Sequence, residues 1–185
     1  MRLHHLTRHK LSLRPVVSRV TGLLPSRRSP YGKEAGVSLV EFTLVLPLLL
    51  LLLFGIVDFG KAFNYWIDQT HLSNTGARFA VVNRNPAPPG TTLQDYIAGL
   101  ANTDELRNGG TPSVPNNITV CIEFPNGGSA ATALIGDPVR VRVFADYNWL
   151  PFLAKDLPFA TSTLSGEATM RLEQRPTNYV DGCST

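Results

Sequence analysis

The chain has 185 residues, 17 Lys and Arg against 14 Asp and Glu, a formal net charge of +3 and 43% hydrophobic residues. That near-balance hides two unlike halves. Eight bases (Arg2, Arg8, Lys10, Arg14, Arg19, Arg27, Arg28, Lys33) and one acid, Glu34, precede Gly36, whereas eleven acids face eight bases after Lys61. The tail's charges are spread thinly and no aromatic cluster accompanies them, which speaks against a nucleic-acid-binding arm and for a role in membrane topology.

The first predicted element is a membrane span over residues 37–57. A helix of 21 residues reaches roughly 31 Å at about 1.5 Å per residue, the thickness of a hydrocarbon core. Six consecutive leucines, Leu48 to Leu53, leave no polar face to meet water. Pro47 removes the bond to the Thr43 carbonyl and bends the helix, which membrane helices tolerate. Glu41 is the one charge in the run. A charge near the bilayer centre costs about 2.5–3.5 kcal/mol and less toward the interface, so Glu41 is expected near the headgroups. The positive-inside rule keeps the basic tail in the cytoplasm and exports everything after the span. A cleaved secretory signal is the alternative, but its apolar part normally spans only about 7–15 residues. Gly60-Lys61-Ala62 is also a poor cleavage site.

Phe59, Phe63, Trp66, Ile67, Thr70, Asn74, Ala77 and Val81 recur at spacings of three and four. They predict an amphipathic continuation of the helix over 58–84, with this stripe as its apolar face. Asp58 and Lys61 are placed to pair at the membrane surface. Phe63, Tyr65 and Trp66 are either interfacial anchors or packing groups of the exported domain. Pro86, Pro88 and Pro89 end the helix.

Thr92-Leu93-Gln94-Asp95 opens a short helix over about 92–101. Asp104-Glu105 reads as a solvated loop. Ile118 to Phe124 alternates like a strand, and Val139 to Phe144 sets valines on one face and arginines on the other. Strands are therefore expected over 118–124, 139–147 and 161–173, the last two as neighbours. The fold class is α+β: a long N-terminal transmembrane helix extends into an amphipathic helix, followed by a small, mostly antiparallel sheet domain over 85–185. Such a domain can bury one modest core.

Cys121 and Cys183 both fall on the exported side, where disulfides persist. A bridge between them would tie the C-terminal tail to the sheet; otherwise Cys121 is a buried thiol and Cys183 a free one. Catalytic chemistry is hard to find. His71 is the sole histidine beyond the basic tail, and H-E-x-x-H, G-x-x-x-x-G-K-[ST] and G-x-G-x-x-G are all missing. No enzyme, no cofactor and no metal site is expected.

Gly36-Val37-Ser38-Leu39-Val40-Glu41-Phe42-Thr43-Leu44-Val45-Leu46-Pro47, with Phe54-Gly55-Ile56-Val57-Asp58-Phe59-Gly60 after the leucine run, resembles TadE-like proteins. These are minor pseudopilins of bacterial tight-adherence (Flp-type) pilus systems. Asn74-Thr75-Gly76-Ala77-Arg78-Phe79-Ala80 resembles the family's segment at the end of the long helix. The resemblance spans roughly 36–82, and one departure is Ala35, where many members carry a base.

The resemblance implies a leader, residues 1–36, cut between Gly36 and Val37 by a prepilin peptidase, which would make Glu41 the fifth mature residue. The Glu41 carboxylate, beside Phe42, would then pair with the new Val37 amine, in its own chain or in a neighbouring subunit. The implied partners are the prepilin peptidase, the major pilin, the assembly platform and the membrane, with no nucleic acid. The implied function is a structural subunit or assembly factor, single-pass in the bacterial inner membrane with a periplasmic domain. The alternative is an uncleaved anchored domain for binding or sensing.

Overall fold

The structure is a computed structural model that describes residues 31–152 and 160–184. Most of the expected basic leader, residues 1–30, lies outside the described residues. The chain divides after Thr43 into two compact units. Helix α1, Tyr31–Val81, begins in the first unit and supplies the long helix of the second.

Helix α1 is followed by α2 (Leu93–Gly99), α3 (Asp104–Asn108) and strands β1 (Thr119–Glu123), β2 (Pro138–Asn148), β3 (Thr161–Arg171) and β4 (Gly182–Cys183). The strands form one antiparallel sheet in the order β3-β2-β1-β4. This is an α+β fold: a long apolar N-terminal helix and a small antiparallel sheet. The alternation of β2 is realised in full. Val139, Val141, Val143, Ala145 and Tyr147 are buried, while Arg140 and Arg142 lie on the other face. There Arg140 Nε and Nη2 donate to Glu123 Oε2 of β1 at 3.2 and 2.9 Å.

Three local expectations need correction. First, Asp104-Glu105 is not loop but the opening turn of α3, whose N-cap Thr103 accepts from the Leu106 N–H. Two acids in a first turn suit the helix dipole. Second, the last long strand stops at Arg171, because the Leu172 N–H turns to the Asp137 carbonyl and those of Glu173 and Gln174 turn to Val81. Third, the tail adds a short fourth strand, β4, that the alternation of two residues cannot announce.

The largest correction concerns the face that α1 turns to the sheet. The buried positions are Asp58, Ala62, Tyr65, Gln69, Ser73 and Ala80, with Asp68, Leu72, Ala77 and Val81 beside them. Asp58, Ala62, Tyr65, Gln69, Ser73 and Ala80 each stand one residue before a member of the expected stripe, about 100° around the helix. Of the stripe, only Ala77 and Val81 are buried, whereas Phe59, Phe63, Trp66 and Ile67 are exposed. The physical reason is close approach. A Cβ on Gly166 of β3 would stand 2.5 Å from the Thr70 nitrogen and 2.6 Å from the Gln69 carbonyl carbon. One on Gly76 would meet Ile97 Cδ1 at 2.8 Å and Val141 Cγ1 at 3.1 Å. Small residues, Ala62, Ser73, Gly76, Ala77 and Ala80, therefore let the sheet come close, and Tyr65 and Leu72 are the bulky members of the packing face.

Helix α1 ends in a Schellman motif. The Arg84 N–H reaches the Phe79 carbonyl at 2.9 Å, the Asn83 N–H reaches Ala80 at 3.1 Å, and Asn83 takes the left-handed conformation with φ 51°. Its side chain also binds the tail: Asn83 Oδ1 accepts from the N–H groups of Thr177 and Asn178 at 2.8 and 2.9 Å.

Candidate functional site

The residues that the sequence singles out for processing and subunit pairing all lie in the opening of α1. Gly36, Val37, Glu41 and Phe42 are helical and exposed. Glu41 follows Val37 by four residues, so the two share one helix face. Thr43 turns its hydroxyl back to the Leu39 carbonyl at 2.7 Å. Among the described residues, Glu41 forms no ion pair and no side-chain hydrogen bond. The helix continues through Pro47, and its most apolar stretch has no buried residue and a mean hydropathy of 2.6. It is the one described helix that is long and apolar enough to cross a membrane.

Beyond that stretch, two aspartates on the packing face hold the domain to the helix. Asp58 is 8% exposed; its Oδ1 accepts from the Tyr147 hydroxyl at 2.6 Å and its Oδ2 from the Leu150 N–H at 2.8 Å. Asp58 therefore does not pair with Lys61 as expected. Lys61 Nζ reaches Glu105 Oε2 of α3 at 3.7 Å instead. Asp68, also buried, accepts from the Asn102 N–H and Nδ2 at 2.9 and 2.7 Å, which fixes the α2–α3 connection. A buried carboxylate needs such partners, because stripping its hydration without them is costly.

Of the three aromatic residues expected as anchors or packing groups, Tyr65 packs in the core, 5.8 Å from Tyr147 ring to ring. Phe63 and Trp66 stay exposed and lean on each other at 5.7 Å. Tyr147 lay within a predicted strand and its inward parity was legible. Its bond to a residue 89 positions away was not. Burial and the neighbouring Asp58 carboxylate push the Tyr147 phenol well above the ordinary tyrosine range. Tyr179, whose hydroxyl donates to the Ala80 carbonyl at 3.0 Å, is pushed up to about 12 by burial.

The tail is fastened chemically as well. Cys121 and Cys183 sit opposite each other in the β1–β4 register and form a disulfide that closes a separation of 62 residues. Gln94 of α2 holds the same segment through the Val180 and Gly182 carbonyls at 2.9 and 3.3 Å.

No curated protein and no solved structure matches the chain. The sequence model of the family described as TadE-like protein does match, over residues 36–78. That segment is α1 from Gly36 to its last turn, and it carries Glu41, the apolar stretch, Asp58 and the Gly76-Ala77 approach to the sheet. The match covers α1 and not the sheet domain, so α1 is similar to the helix of TadE-like proteins, in agreement with the resemblance that the sequence motifs carry.

Proposed function

We propose that the protein is a minor pseudopilin or assembly factor of a bacterial tight-adherence pilus or secretion system. In this reading α1 anchors it once in the inner membrane and the sheet domain lies in the periplasm. A prepilin peptidase cuts between Gly36 and Val37. Glu41, with Phe42 beside it, then meets a mature amino terminus, its own or that of the next subunit. The role is structural and not enzymatic.

One observation carries the reading. Phe59, Phe63, Trp66 and Ile67 continue the apolar surface of α1 beyond residue 57 and stay exposed, although Phe59 also stacks on Trp149 of the domain. Water does not favour such a stripe, and its far end lies about 15 Å past Val57. A neighbouring helix of the major pilin or assembly platform would cover it. Ile67→Glu tests this, because Ile67 is 49% exposed and lies about 180° around the helix from the buried Asp58. The expected result is a folded, disulfide-bonded domain that no longer enters the assembly or supports piliation. Wild-type piliation by this variant overturns the reading of the stripe.

A further inference from the structure

Past Trp149, which packs against the core, the loop that leaves β2 carries apolar groups that the core does not use. Leu150, Pro151 and Phe152 line a cavity of about 370 Å³ together with Phe54 and Val57, which belong to the end of the apolar stretch of α1. On the other side, Trp149, Pro151 and Phe152 border a second cavity of about 580 Å³ with Pro112, Pro115 and Ala160. Trp149 also stacks on Phe59 at 6.4 Å. Phe152 stands 91% exposed between the two cavities. Lys61 and Ser113 border the same cavity, so it lies where the apolar stretch of α1 gives way to polar residues, the level expected of a membrane interface.

We propose that the Trp149–Phe152 loop is a second membrane contact, seated among lipids in the interfacial layer beside the helix. The inference rests on the reading of α1 as a membrane anchor. The N–H groups that lead into the loop are already paired within the protein, as a medium poor in hydrogen-bond partners favours. The Asn148 N–H is taken by the Ser113 carbonyl at 2.8 Å, that of Trp149 by Ala160 at 2.6 Å and that of Leu150 by Asp58. Pro151 has none to satisfy. The Trp149 indole N–H donates to Ser162 Oγ at 2.7 Å. Leu150 has φ 45°, a left-handed conformation unusual for a leucine, which Asp58 holds in place. Trp, Phe and Leu at the rim of a span match the amphipathic belt of the membrane interface. Asp58 thus fixes the loop at the level where the helix leaves the bilayer.

The test is photolabelling of the full chain in vesicles of phosphatidylethanolamine and phosphatidylglycerol that contain a phospholipid with a diazirine on its acyl chain. Adducts are mapped by mass spectrometry. Leu48–Leu53 report the span. Leu134 and Ile135 are exposed apolar residues beyond the opposite end of β2, a strand of 11 residues about 36 Å long, and report background. The expected result is labelling of Trp149–Phe152 well above that at Leu134 and Ile135, with Leu48–Leu53 also labelled. Labelled leucines with the loop at background overturn the proposal, leave the anchor intact and point to solvent or a protein partner over Phe152. If neither region is labelled, the anchor reading fails and the loop contact fails with it.

Discussion

The Tyr147 hydroxyl and the Asp58 carboxylate meet at 2.6 Å across 89 residues of sequence, and this bond fixes the end of β2 against the helix. The same carboxylate holds the Leu150 N–H, so one side chain positions both the strand end and the loop that follows. Twenty-three residues on, the helix end at Val81 receives the N–H groups of Glu173 and Gln174. Helix and sheet are thereby tied at both ends, with the Gly166 contact between them.

Asp58→Ala should destabilise the domain by about 2–4 kcal/mol. It leaves the part-buried Leu150 N–H unpaired and the buried Tyr147 hydroxyl with only the Asp58 backbone carbonyl at 3.2 Å, and hydrogen bonds to charged groups are worth about 1.5–3 kcal/mol each. Tyr147→Phe should cost less than Asp58→Ala, because the carboxylate keeps the Leu150 N–H. Urea unfolding of the purified chain in detergent compares the two variants. A loss no greater for Asp58→Ala than for Tyr147→Phe would contradict the shared role of Asp58.

Two glycines at the helix–sheet contact should respond differently. Gly166→Ala drives a methyl into helix backbone that cannot yield, and overpacking of this kind costs about 1–3 kcal/mol or more. Gly76→Ala meets the flexible end of Ile97 and gains helix propensity of roughly 1 kcal/mol, so its net effect should be small. Thermal unfolding of both variants decides it. Equal losses would mean that the Gly166 approach is not the tighter one.

Stability should fall at alkaline pH. Folding raises the Tyr179 pKa from its ordinary 10.0 to about 12, so the folded state holds a proton that the unfolded chain releases. The stabilisation is complete below pH 10 and is lost as pH climbs through about 12, with a slope of at most roughly 1.4 kcal/mol per pH unit. Tyr147, also raised, adds to the same decline. Tyr179→Phe should flatten the curve between pH 10 and 12 relative to the native chain, as read by urea midpoints across that range.

Reduction, or the pair Cys121→Ser and Cys183→Ser, should release the tail. A bridge closing 62 residues contributes about 4 kcal/mol on the chain-entropy account. Amide hydrogen exchange should show β4 and residues around Val180 losing protection before β2 and β3 do. Simultaneous loss throughout the sheet would contradict a tail-specific role.

Glu41→Ala should leave the sheet domain as stable as the native one, within about 0.5 kcal/mol, because Glu41 is exposed and touches nothing that the domain needs. The same variant should lose incorporation into the assembly. Normal piliation with Ala at this position would remove the pairing role.

Much of the architecture was legible because it rests on local periodicity. The apolar stretch of α1, the alternation of Val139 to Tyr147 and the Thr92 cap all follow from residue order alone. The packing face of α1 was not legible. Periodicity finds bulky apolar residues, and here Phe59, Phe63 and Trp66 point outward while Ala62, Gly76 and Ala80 let the sheet come close. The roles of Asp58 and Asp68 were hidden for a related reason: their partners, Tyr147, Leu150 and Asn102, are 34 to 92 residues away, beyond the reach of any local pattern. The start of α3 at Thr103 was missed, because a helix of five residues gives almost no period to read.

The central claim is that the chain is processed and inserted as a pseudopilin-like subunit. The most direct measurement is the intact mass and N-terminal sequence of the protein taken from native membranes. The account predicts a chain that begins at Val37, with Glu41 as its fifth residue. A membrane-bound chain that retains residues 1–36 in the presence of an active prepilin peptidase would contradict it.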